Sequence, residues 1–221
     1  NNSTSIELDG PYEIKPRDIV VASDPSSAAF FIVGALIIPK SVVTLKNIAL
    51  NKTRIAFIDV LKKMGGKIRI KKTTTLSGED VGEITASYSS LNGIKIKASA
   101  SPYLIDEYPI LSIAASQARG RTVMEGLSEL RHKESDRIKS ITTNLSKIGF
   151  KVASKKDGIS ILGSNKIKIT NKKKIKSYGD HRIAMSFVIL SLLYKDKLII
   201  DDESCISISY PDFKKHLNIL S

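Results

Sequence analysis

Seven consecutive residues, Arg131-His132-Lys133-Glu134-Ser135-Asp136-Arg137, carry six ionisable side chains and one serine between two apolar stretches. Ile110 to Ala115 precede them, and a periodic run (Ile138, Ile141, Leu145, Ile148) follows. Their types define the chemistry open to them. Glu134 can exchange a proton. Arg131, Lys133 and Arg137 can hold anions, and arginine is best at gripping the paired oxygens of a carboxylate or phosphate. If a helix begins near Glu134, its first turn holds Glu134, Asp136 and Arg137, with Lys133 just outside. A solvated charge run capping a helix would use the same residues. A second dense run, Gly179-Asp180-His181-Arg182, adds an arginine and a histidine. The choice between reactive site and solvated surface rests on whether the rest of the chain brings these runs together.

An internal repeat says that it does. Three segments open with an Asp (Asp24, Asp106, Asp180), continue as an apolar helix, and pass through a polar turn into a strand at Val42–Leu45, Thr122–Met124 and Leu198–Ile200. A second helix follows in each: Arg54 to Met64, Glu134 to Ile148, and Pro211 to Leu220. Strands are expected at Lys67–Lys71, Val81–Tyr88, Ile94–Ala98, Lys151–Ala153 and Ile159–Leu162. The openings lie 82 residues (24 to 106) and 74 residues (106 to 180) apart. Repeats of this length are supersecondary units that bury their apolar faces against one another. The first helices are apolar all round, which places them inside, whereas the second helices carry a single apolar stripe. The architecture that follows is an inside-out α/β (α+β) fold: three βαβαββ-like units, with buried helices surrounded by sheets and amphipathic helices. Pseudo-threefold symmetry would gather the three helix N-termini, with their free amides and positive dipole ends, on one anion-favouring face.

Composition bounds the rest. With 221 residues, 42% of them hydrophobic and 26% charged, the chain can bury a real core. Its longest apolar run, Ala28 to Ile38, falls short of the ~20 residues that span a bilayer. The polar N-terminus has neither an initiator Met nor the pattern of a secretory leader, so a fragment or processed piece is expected. The single Cys205 suits a reducing compartment, most simply the cytoplasm, and a small packed residue. The net charge of +13 suggests anionic partners. Its lysine clusters (71–72, 155–156, 172–174) have no interleaved aromatics, unlike a platform for single-stranded nucleic acid.

Five runs have a joint pattern: Asp24-Pro-Ser-Ser-Ala-Ala-Phe-Phe, Leu104-Ile-Asp-Glu-Tyr-Pro-Ile-Leu, Leu130-Arg-His-Lys-Glu-Ser-Asp-Arg, Tyr178-Gly-Asp-His-Arg-Ile-Ala-Met and Ser209-Tyr-Pro-Asp-Phe. Each is weak alone. In this order and spacing, over nearly the whole chain, the set resembles the C-terminal half of the 5-enolpyruvylshikimate-3-phosphate synthase family. The resemblance implies the EPT/RTPC-like inside-out fold. Residues 1–23 would be a crossover from a missing N-terminal domain, and residues 24–221 the C-terminal domain, with repeats starting near 24, 106 and 180.

The implied reaction moves the enolpyruvyl group of phosphoenolpyruvate to the 5-hydroxyl of shikimate 3-phosphate and releases phosphate. It is a step of the shikimate route to chorismate and aromatic amino acids, and it uses no metal or organic cofactor. Asp106 would hold the shikimate hydroxyls and help take the 5-hydroxyl proton. Glu134 would exchange a proton with the methylene carbon. Lys133 would contact shikimate 3-phosphate, and Arg137 and Arg182, with His181 beside them, would clamp phosphoenolpyruvate. Acid and base must act on opposite partners, which two carboxylates can do if their environments push their pKa values apart. The implied partners are these small anions and the missing N-terminal domain, without nucleic acid or membrane, in a full-length monomer. The N-terminal domain of the family brings a lysine, an arginine and a Ser-Ser-Gln-like phosphate grip. This chain alone would therefore hold half a site and be inactive.

Structural roles compete at several positions. Asp106 and Asp180 would each serve as a helix N-cap, and Asp136 would pair with a neighbouring Arg or Lys. His132 and His216 are expected on the surface. Some members carry a lysine just before the final aromatic-Pro pair that contacts phosphoenolpyruvate; here the run is Ile206-Ser207-Ile208-Ser209-Tyr210-Pro211, so that contact is lost or a lysine elsewhere replaces it. The rival functions are a UDP-N-acetylglucosamine enolpyruvyl transferase on the same fold and a non-catalytic basic module that binds nucleic acid.

Overall fold

A computed structural model of the chain describes residues 5, 7–13, 15, 16, 18–194 and 197–219. At its centre lie three helices, α1 (Pro25–Ile37), α3 (Tyr108–Gln117) and α5 (His181–Ser191), each packed against the other two. Their sequences leave no polar face. Every residue of α1 except Ser27 is buried, as is every residue of α3 except Gln117. A helix that is apolar all round gains most when it is enclosed on all sides. The serines that α3 and α5 bring inside return their hydroxyls to the helix backbone, Ser112 to the Tyr108 carbonyl at 2.8 Å and Ser186 to the Arg182 carbonyl at 2.6 Å.

Sheets and amphipathic helices surround this centre. The first unit has β1 (Val42–Ala49), α2 (Ala56–Lys63), β2 (Lys67–Leu76) and β3 (Glu79–Ser87), in an antiparallel sheet of order β1-β3-β2. The second has β4 (Lys95–Ile96), β5 (Gly120–Glu125), α4 (Arg137–Ile148), β6 (Lys151–Lys155) and β7 (Gly158–Gly163), in the order β4-β5-β7-β6 with β4 parallel to β5. The third has β8 (Lys173–Ile175) parallel to β9 (Leu198–Ile200), then α6 (Ile206–Ser209) and α7 (Phe213–Ile219). A parallel bridge from Ser23 to Ile48 is the first unit's counterpart of the β4–β5 and β8–β9 pairs. This is the inside-out α/β class expected from the apolar first helices.

Several boundaries differ from expectation. The second unit's outer helix starts at Arg137, not Glu134, because Asp136 caps it by accepting from the Lys139 amide at 2.9 Å. Glu134 therefore sits on the approach to the helix. The Arg54–Met64 segment is helical only over Ala56–Lys63. The last helix covers Phe213–Ile219, and Leu220 lies outside the described residues. Strand β8 was not expected, because its lysines conceal it within a basic cluster. His216 is half-buried and not on a free surface, and its Nδ1 meets the Tyr210 hydroxyl at 2.9 Å. Cys205 is packed inside, as its type suggested.

Two contacts show how tightly the chain is packed, one between units and one within the second. The Asn144 amide bonds both ways to the backbone of Lys176, tying α4 to the third unit. A Cβ at Gly163, at the end of β7, would collide with the carbonyl oxygens of Ala115 and Ala118 at the end of α3. Gly163→Ala is accordingly expected to destabilise the chain by about 1–3 kcal/mol, read as a lowered midpoint in urea.

Candidate active site

The N-termini of the central helices each place an acidic group. Asp24 caps α1, accepting from the Ser27 amide at 2.8 Å. Asp180 caps α5, accepting from the Arg182 and Ile183 amides. The second unit breaks this pattern. At α3 the N-cap residue is Glu107, which makes no side-chain cap bond, so Asp106 is not a cap. Its carboxylate is left for tertiary contacts, and it becomes the hub of the site.

Three cations surround Asp106. Arg137 Nη1 lies 3.2 Å from Oδ1, Lys133 Nζ 3.8 Å from Oδ1, and Arg182 Nη2 3.8 Å from Oδ2. Arg182 Nη1 also donates to the Asp106 backbone carbonyl at 3.1 Å. Burial works against the charge on Asp106, but Arg182, Lys133 and Arg137 outweigh it and hold the carboxyl below its usual range. Asp106 is therefore an anion at neutral pH and remains 39% exposed, open to a ligand.

Arg137 is wholly buried beneath this cluster. Its Nε donates to Asp180 Oδ2 at 2.8 Å, and its Nη2 donates to Glu134 Oε2 at 2.5 Å and to Asp180 Oδ1 at 3.4 Å. Asp180 is equally buried and also accepts from the Ser135 hydroxyl at 3.1 Å. Burial by itself would lower the pKa of Arg137, but Asp180, Glu134 and Asp106 reverse the sign and fix the charge. The resemblance implied an open clamp at Arg137. Here its guanidinium already binds three carboxylates, so an incoming anion reaches it only by displacing Glu134 or Asp106.

The other expected residues lie around this core. Glu134 is about half exposed, with one oxygen on Arg137. His181, at the start of α5, has its pKa lowered by burial first and then by Arg182, which keeps the ring neutral near pH 7. Asp136 pairs with Arg131 at 2.9 Å, and His132 is exposed. Ile208, in α6, is 82% exposed. The cluster thus joins Asp106, Lys133, Glu134 and Arg137 of the second unit to Asp180, His181 and Arg182 of the third.

A further set of residues was not singled out in the sequence. Glu107 is buried, and its Oε1 accepts from the Ser26 hydroxyl of α1 at 2.5 Å and lies 3.9 Å from Arg182 Nη1. Arg54 Nη2 reaches both Asp24 at 2.8 Å and Ser26 Oγ at 3.1 Å. The available signal was the position of Glu107 directly after Asp106.

The site also has a charge deficit. Arg137, Lys133 and Arg182 face Asp106, Glu107, Glu134 and Asp180. The cations are already matched, so this face is poised for anions only when further positive groups are brought to it.

Comparison with known proteins identifies the frame. The model of one family, EPSP synthase (3-phosphoshikimate 1-carboxyvinyltransferase), matches residues 1–217. The chain belongs to that family. The 3-phosphoshikimate 1-carboxyvinyltransferase of Petrotoga mobilis is 44% identical over 200 residues, covering 90% of this chain and 46% of its own length. That of Thermoanaerobacter pseudethanolicus is 42% identical over 219 residues, covering 99% and 51%. EPSP synthase from Acinetobacter baumannii superposes with a TM-score of 0.85 at 37% identity, over 92% of this chain and 47% of that one. The enolpyruvyl transferase NikO from Streptomyces tendae shares the fold at a TM-score of 0.69 and 15% identity, over 90% and 43%. The chain spans about half the length of the curated relatives it matches. Among the described residues no helix is long and apolar enough to cross a membrane.

Proposed function

We propose that the chain is the C-terminal half of a 3-phosphoshikimate 1-carboxyvinyltransferase, with residues 1–23 as crossover and 24–221 as the domain. The whole enzyme would transfer the enolpyruvyl group of phosphoenolpyruvate to the 5-hydroxyl of shikimate 3-phosphate, in the cytoplasmic route to aromatic amino acids. The observation that carries this reading is the convergence on Asp106 of three cations, 3.2 to 3.8 Å away, from two different units.

In this reading the 5-hydroxyl oxygen adds to C2 of phosphoenolpyruvate while C3 gains a proton. The tetrahedral intermediate then loses phosphate and a C3 proton to leave the enol ether. Asp106 is ionised and accepts hydrogen bonds from the shikimate hydroxyls. Its depressed pKa makes it a weak base, suited to taking the 5-hydroxyl proton only as the new C–O bond forms. Glu134 is the group that gives and retakes the C3 proton, and its exposed position off the helix leaves it free to reach that carbon. Lys133 pairs with the shikimate phosphate. Arg182 binds the phosphoenolpyruvate anion with neutral His181 beside it, and Arg137 joins them once a ligand displaces one of its carboxylates. Fixed cations of this kind stabilise the charge that builds on the intermediate. No metal or organic cofactor enters the reading.

Because the cations of this half are already matched, the chain alone is expected to bind both substrates weakly. Calorimetric titration with shikimate 3-phosphate and then phosphoenolpyruvate tests this, first alone and then with a complementing half, the N-terminal half of the Thermoanaerobacter pseudethanolicus relative. Binding that appears or tightens at least tenfold on complementation supports the reading. No binding by a folded, associated mixture overturns it. A lysine introduced at the exposed position 208, near where some members of the family carry one, supplies one more cation. Ile208→Lys is expected to lower the KM for phosphoenolpyruvate about fivefold, roughly 1 kcal/mol for a near-surface charge pair, in the same complemented mixture.

A further inference from the structure

Glu107 is a buried carboxylate that the proposed mechanism does not use. It lies at the junction of all three units. It belongs to the second, directly after Asp106. Its Oε1 accepts from Ser26 Oγ of the first unit at 2.5 Å and faces Arg182 Nη1 of the third at 3.9 Å. Ser26 Oγ is held in turn by Arg54 Nη2 at 3.1 Å, and Arg54 is anchored on Asp24 at 2.8 Å. An arginine carries several rotatable bonds, and among the described residues the guanidinium of Arg182 has a contact shorter than 3.5 Å only from Nη1 to the Asp106 carbonyl. A carboxylate facing that same Nη1, itself fixed by a short hydrogen bond, restricts where the guanidinium can turn.

Burying a carboxyl beside Asp106 is costly. Burial is the largest influence on Glu107 and raises its pKa, and the bond from Ser26 and the charge of Arg182 only partly offset this. A group kept at such a cost to stability fits a role in function better than one in folding.

We propose that Glu107 is a positioning residue: through the Arg54–Ser26–Glu107 chain, α1 of the first unit sets the orientation in which Arg182 meets the phosphoenolpyruvate anion. This rests on the functional reading above. It extends the site to a unit that supplies none of the expected site residues.

The sign of one substitution separates positioning from simple electrostatics. Glu107→Gln removes a negative charge close to an anion site. If Glu107 acted only through its field, the change would tighten phosphoenolpyruvate binding. If Glu107 positions Arg182, the guanidinium loses a restraint and binding weakens. The expected result, in the mixture of this chain with the complementing half, is a KM for phosphoenolpyruvate raised about fivefold. The KM for shikimate 3-phosphate should stay within twofold, and the melting temperature should be unchanged or raised. Ser26→Ala leaves the charge in place and frees the carboxylate. It should shift the same KM in the same direction by a smaller factor, and it decides the matter if Glu107→Gln fails to fold.

A phosphoenolpyruvate KM that is unchanged or lowered overturns the proposal. So does a rise in both KM values together with a lowered melting temperature, which would mark a structural role. The wild-type mixture is the control. If it releases no phosphate, the functional reading itself has failed; if it turns over while the variants match it, only the role of Glu107 is lost.

Discussion

Arg137→Ala is expected to remove about 3–5 kcal/mol of folding stability, the usual cost of breaking a buried ion pair from one side. Arg137 and Asp180 are both fully shielded from solvent, and the guanidinium also anchors Glu134 and Asp106. Without it, the Asp180 carboxylate stays buried, and among the described residues the α5 amides and Ser135 are left to solvate it. Three carboxylates would then face one another across the joint between the second and third units. For a chain of this length the loss corresponds to a fall in melting temperature of roughly 10 °C. Urea unfolding of the chain alone, followed by circular dichroism, measures it directly. Adding Asp180→Asn to the same chain should recover part of the loss, because the uncompensated charge goes while the side chain can still cap α5. A loss below 1 kcal/mol in the single variant would mean that water reaches this ion pair.

Glu134→Gln is expected to act in the opposite way, sparing the fold and stopping the chemistry. The side chain is about half exposed and bonds to Arg137, a contact that an amide oxygen can replace in part. What glutamine cannot do is give or take a proton. Losing a positioned proton-transfer group costs about 10²–10⁴ in rate. The complemented mixture should therefore lose that factor in kcat for phosphate release, while its affinity for shikimate 3-phosphate changes by less than threefold. A kcat within threefold of wild type would remove Glu134 from the proton-transfer role and leave it as an anchor for Arg137.

The parts of the molecule differ in how far neighbouring residues along the chain decide them. The central helices were plain, because α1, α3 and α5 have no polar face to give to solvent and so had to be enclosed. Two caps were equally plain, since Asp24 and Asp180 each precede an apolar run and accept from amides two or three residues on. The same rule misled at Asp106, where Glu107 takes the cap position without capping and frees its neighbour for Arg137, Lys133 and Arg182. Periodicity set the second helix of the second unit but placed its start three residues early. Local competition for the cap, won by Asp136, decides such ends, and apolar spacing says nothing of it. Strand β8 was hidden because its lysines carry no alternation that a two-residue period would reveal. The burial of Arg137 could not be read at all. Nothing local distinguishes an arginine on a helix surface from one that meets an aspartate 43 positions away. The contact of Glu107 with Ser26, 81 positions away, was out of reach for the same reason.

Whether two halves build one site is measured as phosphate release from phosphoenolpyruvate in the presence of shikimate 3-phosphate, for this chain, for the complementing N-terminal half, and for the two mixed. No release is expected from either half and steady release from the mixture, because the carboxylates and cations around Asp106 make only one wall of the proposed site. Release by this chain alone at the rate of the mixture, or none from a mixture shown to be folded and associated, would contradict that expectation.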